Sequence, residues 1–375
     1  MTNHLKTIKT KLLADTIAVP VTLQSEYYKS LDGLRAIAIL LVIFAHFGIN
    51  NFLLRFNLKI NGTIGVHIFF VLSGFLITTV LLKKKLKHGR ISLSDFYIRR
   101  LLRIVPLAYL FLLVLIIISA AYRPMSSKMD FLYAFLFLKN LPVKNQPFTA
   151  QLWSLSVEMQ FYMVIPFLLF PKINRFFILA ILLVVAVPLL SILCTNYPAM
   201  LTQSSRWAIS LKIANYSFWK GPVILLIGAM AAFLSFKGII KLKWGAPYYF
   251  LSFFLLIAAI LISTPNFCLY NKYLSEYLSA MMIAGVILLN IGSENFLSKI
   301  LSNPILIKIG IWSYSLYIWQ ELFIGRFFWL PWLRWLNNYP VLVILLIKLI
   351  ILFPMAYASY HLVETPFLKW KKKFS

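Results

Sequence analysis

An arginine and a histidine eleven positions apart, Arg35 and His46, lie in the apolar stretch LDGLRAIAILLVIFAHFGIN from Leu31 to Asn50. Imidazole exchanges a proton near neutral pH, which suits His46 to general-base work or to carrying a transferred group. On an α-helix this spacing is nearly three turns, so both side chains share one face, about 16 Å apart along the axis. An ionisable side chain inside a spanning helix is a functional candidate by default. The bland reading is a histidine hydrogen-bonded within a helix bundle. Glu158, in QLWSLSVEMQFYMVIP, has Ser154 and Tyr162 four residues to either side, a polar stripe on an apolar helix. It is expected at a depth like that of His46, where a carboxylate would orient the imidazole and fix its tautomer. A structural hydrogen bond between helices is the plain alternative. Arg100 and Arg103, with Arg99 beside them, are three residues apart and share a helical face. Their guanidinium forks suit phosphate oxygens, although snorkelling to lipid headgroups would use the same residues.

Other candidates carry weaker signals. His67 opens the apolar run GVHIFFVLSGFLITTVLL near its outer end, either facing His46 or simply sitting at the interface. Ser73 and Gly74 lie midway along that run, where a small pair favours close helix packing over a ligand role. Glu321, with Tyr314 and Tyr317 on one helical face, is a second acid inside the membrane. Cys194 and Cys268 have no metal-ligand spacing, and ordinary packing is expected rather than a bridge. No metal is expected.

The elements that must position these residues follow from composition. The chain has 375 residues, 61% hydrophobic and 13% charged, with a mean hydropathy of +0.84. No soluble domain of this size hides so much apolar surface, so an all-α, polytopic transmembrane helical bundle is expected. A net charge of +27 would suit nucleic acid, but the Lys and Arg lie in short clusters beside apolar runs. That pattern serves topology and membrane lipid, and nucleic acid is excluded as a partner. Ten spans are predicted, near 34–50, 64–82, 101–121, 152–170, 176–194, 218–236, 247–264, 276–291, 309–325 and 340–358. Both termini are expected in the cytoplasm. In that orientation the cytoplasmic segments hold about twice as many Lys and Arg as the external ones. Residues 131–138 are too short to span and read as an interfacial helix on the outer face. The chain then divides into a cytoplasmic tail (1–30) without a convincing signal-peptide core, a transmembrane domain (31–368) and a basic cytoplasmic tail (369–375).

Six segments in order resemble the integral-membrane acyltransferase-3 family: LDGLRAIAILLVIFAH, GVHIFFVLSGFLIT, FYIRRLLRIVP, LWSLSVEMQFY, IGIWSYSLYIWQ and VETPF. These are bacterial enzymes that O-acylate, most often O-acetylate, cell-surface and exported glycans. The resemblance implies a ten-helix core in the bacterial cytoplasmic membrane, using acyl-CoA, most often acetyl-CoA, from the cytoplasm. Arg35 and His46 match the family's arginine–ten residues–histidine motif, in which the histidine is essential. Arg100 and Arg103 match the motif linked to donor binding. Ser73, Gly74 and Phe75 match the serine-glycine-phenylalanine motif, and Trp153 and Glu158 match the fourth-span motif. Glu364 and Pro366 match a C-terminal signature read as structural.

The chain departs from the family at His67 (commonly Asp), Met159 (a second Glu) and Gln320 (His). The first leaves the partner of His46 open. The last removes a proton carrier and is expected not to touch the Arg35–His46 pair. Some family members carry an external esterase-like domain that finishes the transfer; this sequence has none and is expected to act alone or with a separate partner.

Together these expectations describe one reaction. Arg99, Arg100 and Arg103 hold the donor phosphates, and the pantetheine arm passes Ser73 and Gly74 between the first three spans. His46 acts as general base or acyl carrier toward a glycan or glycolipid hydroxyl. Arg35 holds the cofactor or braces the bundle, Glu158 orients His46, and His67, Trp153, Tyr162 and Glu321 lie around the acceptor or behind the reacting groups. The rival reading is a proton-coupled transporter or flippase in which His46, Glu158 and Glu321 relay protons. Against it stand the absence of visible repeated halves and the cytoplasmic arginine cluster. The acyl group, the acceptor and the oligomeric state are not fixed by the sequence.

Overall fold

The computed structural model describes residues 17–53, 59–121, 126–141, 147–169, 173–196, 221–240, 248–265, 267–271, 274–292, 294–324, 335–336, 338–371 and 373. Among them the chain is helical and no strand occurs. The α-helices of six or more residues are, in order, α1 (Lys29–His46), α2 (Gly62–His88), α3 (Leu93–Ala121), α4 (Lys128–Phe135), α5 (Leu152–Leu169), α6 (Ile173–Asn196), α7 (Pro222–Phe236), α8 (Leu251–Ile262), α9 (Ser275–Gly292), α10 (Phe296–Leu301), α11 (Pro304–Ile311), α12 (Ser313–Trp319), α13 (Val341–Ser359) and α14 (Thr365–Lys371). Backbone polar groups in a bilayer must be satisfied within the chain, which is why apolar sequence of this kind resolves into helices. Five are long and apolar enough to cross a membrane: α2, α3, α5, α9 and the run Val341–Lys371. Shorter apolar helices cover Arg175–Leu190, α7 and α8. The chain is a multi-pass helical membrane protein.

Local sequence explains the helix ends. Asn61 caps α2 by accepting the Thr63 amide at 3.1 Å, and Gly89 ends it in the left-handed region at φ 67. Both are the residue types such caps favour. Asp32 lies in the first turn of α1, where a negative charge complements the helix dipole.

Small residues set the helix crossings. A Cβ on Gly74 would fall on the Leu225 carbonyl of α7, and one on Gly228 of α7 would fall on the Val71 carbonyl of α2. The two glycines thus make one reciprocal close crossing, as small residues do where lipid offers no hydrophobic drive for association. Along α1, Gly33 abuts the Leu301 backbone, Gly310 of α11 abuts the Asp32 backbone, and Gly65 of α2 abuts the Ala38 carbonyl. The first helix is therefore gripped on two sides at backbone distance, which fixes the direction of Arg35.

Two segments depart from the predicted spans. The stretch at 309–325 is not one continuous helix: α11 stops at Trp312, α12 follows, and a 3-10 turn covers Gln320–Phe323. Ser313, Ser315 and Gln320 are buried in protein there, the setting in which broken backbone is tolerated at membrane depth. The last span does not end near 358 but runs through a π-helical turn, Tyr360–Glu364, into α14. The apolar segment 131–138 overlaps the short helix α4. Most of the 1–30 tail, with Lys6, Lys9 and Lys11, lies outside the described residues, as does the side chain of Cys194; Cys268 is exposed.

Candidate active site

The segment before α1, together with α1, α2, α3, α5, α12 and the end of α14, encloses a cavity of about 370 Å³. Arg35, Ser73, Arg100, Arg103, Glu158 and Tyr162 all line it. At its centre Glu158 accepts hydrogen bonds from the Ser73 hydroxyl of α2 and from the Tyr162 hydroxyl one turn along α5. Ser154, one turn the other way, shares a 2.6 Å hydrogen bond with the Tyr317 hydroxyl, which also donates to the Gln151 carbonyl at 2.9 Å. Tyr314 turns its hydroxyl onto the Ile104 carbonyl of α3 at 2.6 Å. The polar stripe of α5 thus faces the serine of α2 and the tyrosines of α12.

The basic groups form the other half of the lining. Arg35 pairs with Asp32 one turn earlier at 2.6 Å. The Arg100 guanidinium lies 5.4 Å from the Tyr162 ring centre and 5.7 Å from that of Phe96, and is within electrostatic range of Glu158. Cation–π contacts of this kind hold a guanidinium in place without using its donors. Arg103 lies within electrostatic range of Arg35, Arg100 and Glu364. Among the described residues neither Arg100 nor Arg103 makes a hydrogen bond or a close ion pair. Two guanidinium groups therefore line a protein cavity with donors to spare, an arrangement whose geometry matches an anion such as phosphate. Burial pushes the Tyr28 phenol up to about 12, which keeps that wall of the mouth neutral.

The other expected residues stand elsewhere. His46 is the last residue of α1, exposed, and not part of the cavity lining. Between Arg35 and His46, α1 packs closely on α2, with Gly65 against Ala38 and Gly62 against Ala45. The expected His46–Glu158 dyad is not formed: one carboxyl oxygen of Glu158 accepts Ser73 and Tyr162, and among the described residues no hydrogen bond joins it to His46. Instead the side chain that reaches toward His46 is Gln320, fully buried and short of a closed hydrogen bond. The departure at 320, expected to leave the Arg35–His46 pair alone, thus falls directly beside the imidazole.

Gly74 packs against α7 and does not line the cavity, and Arg99 is buried outside the lining within range of Asp95. His67 is 1% exposed and Glu321 4%, both off the cavity. Trp153 braces the wall by an edge contact with Phe70 at 5.9 Å. Glu364 accepts the Ser315 hydroxyl and ties the π-turn to α12.

Sequence reasoning missed Asp32 and Lys371. Asp32 had a signal in its spacing of three from Arg35. Lys371 had none, since a lysine in KWKKK reads as topology. Among the described residues no group of three or more His, Cys, Asp or Glu could hold a metal ion.

With this geometry in view, comparison with known proteins assigns the class. The profile of the acyltransferase-domain family, acyltransferase-3, matches residues 28–362. The chain belongs to that family. It is 31% identical over 328 residues to the peptidoglycan O-acetyltransferase OatA of Listeria monocytogenes, covering 79% of this chain and 49% of the relative. It is 30% identical over 385 residues to a provisionally named O-acetyltransferase of Staphylococcus aureus, covering 92% of this chain and 58% of the relative. With the O-acetyltransferase OatA of Staphylococcus aureus the identity is 26% over 368 residues, covering 92% of this chain and 57% of the relative. The chain spans roughly half the length of the curated relatives it matches. No solved structure matches it.

Proposed function

We propose that this protein is a membrane O-acetyltransferase of the bacterial inner membrane, taking an acetyl group from cytoplasmic acetyl-CoA and transferring it to a hydroxyl of a cell-envelope glycan. One observation carries the reading: Arg100 and Arg103 present unused donors in the same cavity where Glu158 is held by two hydroxyls. Phosphate oxygens match guanidinium forks, and a thioester carbonyl needs hydrogen-bond donors for the charge that develops on its oxygen. The acetyl group and the glycan acceptor follow the names of the relatives.

In this reading the chain crosses the bilayer ten times with both termini inside, as the distribution of Lys and Arg favours. The arginine end of the cavity then opens to the cytoplasm and His46 lies toward the outside. Arg100 and Arg103 bind the pyrophosphate, Arg35, held by Asp32, adds a third positive charge to the same lining, and the thioester lies beside Ser73 and Glu158. His46, with Gln320 against it, is the general base for the acceptor hydroxyl. The new ester bond forms as the thioester C–S bond breaks, His46 takes the hydroxyl proton, and coenzyme A leaves through the arginine end as its thiolate, to be protonated in water. A proton-relay transporter has less support, because it gives the unpaired arginine forks no task.

The test uses the full chain in nanodiscs with radiolabelled acetyl-CoA, and mass spectrometry of envelope glycans from cells with and without the protein. Wild type binds the donor, R100A/R103A binds it at least tenfold more weakly, and the glycans lose an acetyl mass when the protein is absent. Equal binding by the double variant, or unchanged glycans, overturns the reading.

A further inference from the structure

The C-terminal helix does not leave the bundle as a free basic tail. The π-turn at Tyr360–Glu364 sits between α13 and α14, and Glu364 is anchored there by Ser315. A π-turn adds a residue to the helical repeat and so re-aims everything that follows it. Beyond it α14 packs along α3, and its last residue, Lys371, lines the same cavity as Arg35, Arg100 and Arg103. Lys371 lies within electrostatic range of Arg35, Arg99, Arg100 and Arg103; the acids on the same lining are Glu26, Asp32, which pairs with Arg35, and Glu158, which accepts Ser73 and Tyr162. A lysine at a helix C-terminus complements the dipole in any protein. Four guanidinium groups around it are a different matter: a flexible ammonium stem can swing into water, and one held among like charges is placed to share an anion with them.

Depth identifies which anion. Ser73 and Glu158 lie inside the cavity, whereas Lys371 adjoins Trp370, 59% exposed, and shares the mouth with Tyr27, 53% exposed. A thioester seated at Glu158 leaves the nucleotide end of its carrier at that mouth. Coenzyme A carries a phosphate monoester there, with a charge of about −1.5 to −2 at neutral pH, and an ammonium suits such a compact charge. We propose that Lys371 is a donor-binding residue that takes the terminal phosphate monoester of acyl-CoA, delivered to the cavity mouth by the π-turn of the last helix. The proposal rests on the acyl-CoA reading above.

The experiment measures equilibrium binding of acetyl-CoA and of 3′-dephospho-acetyl-CoA to the full chain in nanodiscs. Wild type is expected to prefer acetyl-CoA by about tenfold, the scale of one charge-assisted contact. K371A abolishes the preference by weakening acetyl-CoA alone, K371R restores it, and K369A, exposed on the same helix and off the cavity, keeps it. Wild type binding both thioesters equally, or K371A retaining the preference, overturns the role of Lys371 and leaves the donor reading standing. Wild type binding neither thioester overturns the donor reading itself.

Discussion

Ser73 and Glu158 are hydrogen-bonded across the interface of α2 and α5, and the oxygen that accepts Ser73 also accepts Tyr162. This pairing assigns the carboxyl to the cavity and removes it from His46. The polar centre is thereby split into an inner part, built from Ser73, Glu158, Tyr162 and the arginines, and an outer part, built from His46 and Gln320. Along α1 the stretch from Arg35 to His46 packs on Gly65 of α2.

Because both hydroxyls serve one carboxyl oxygen, their removal is expected to be non-additive. Ser73→Ala and Tyr162→Phe should each lower kcat by about tenfold, the scale of one hydrogen bond to a charged group. The double variant should lose less than the product of the two, since residues that share a partner couple. Kinetics of all three variants in nanodiscs provide the check. Strict multiplicativity would mean that the two do not act through Glu158.

Gly74 should behave unlike its neighbour. Gly74→Ala drives a methyl into the Leu225 carbonyl, an obstacle of backbone that cannot rotate aside. Overpacking of this kind costs about 1–3 kcal/mol. The variant should lower the unfolding midpoint in detergent, while Ser73→Ala leaves it near that of wild type and lowers turnover instead. A Gly74→Ala protein as stable as wild type would contradict the crossing with α7.

How much of this was legible in the sequence depends on the range of each interaction. The face shared by Ser154, Glu158 and Tyr162 is local periodicity, and the structure brings that stripe to one cavity with Arg35, Arg100 and Arg103. The caps at Asn61 and Gly89 are local too. Which acid meets which histidine is a matter of tertiary register, and equal depth was not enough: Glu158 found Ser73, and His46 found Gln320. The break at Trp312 and the π-turn at Tyr360–Glu364 were also hidden, because hydropathy averages over a window and does not register one extra residue in a turn. Without that turn Lys371 is one more basic residue after a span.

Gln320 offers a test of the outer part. Gln320→Leu replaces the amide that faces the imidazole with an apolar side chain of similar size. Donor binding should be unchanged, and transfer to the acceptor should fall by about tenfold, one hydrogen bond's worth. Gln320→His supplies a ring nitrogen at the same place and should restore part of the rate. If Gln320→Leu transfers at the wild-type rate, the contact with His46 has no role in the reaction.

The last prediction concerns a buried ion pair away from the cavity. Lys139 is fully buried and pairs with Asp130 of α4, whose other oxygen accepts the Thr149 hydroxyl, while the Lys139 amide donates to Ser156 of α5 at 3.1 Å. Beside it Asn140 and Gln160 exchange amide hydrogen bonds at 2.9 and 2.8 Å, and Gln160 also reaches the carbonyl of Phe137, a residue at φ 53. These contacts pin the segment after α4 onto α5, the helix that carries Glu158. Removing one partner of a buried pair strands a charge and costs about 3–5 kcal/mol, whereas replacing both by apolar groups of similar volume is often close to neutral. Lys139→Met should therefore lower the unfolding midpoint strongly, and Asp130→Leu combined with Lys139→Met should recover much of the loss. Limited proteolysis at 136–141 gives an independent readout, with cleavage rising in the single variant and returning toward wild type in the double. A double variant no more stable than the single would mean that Thr149 and Ser156, rather than the ion pair, hold the segment in place.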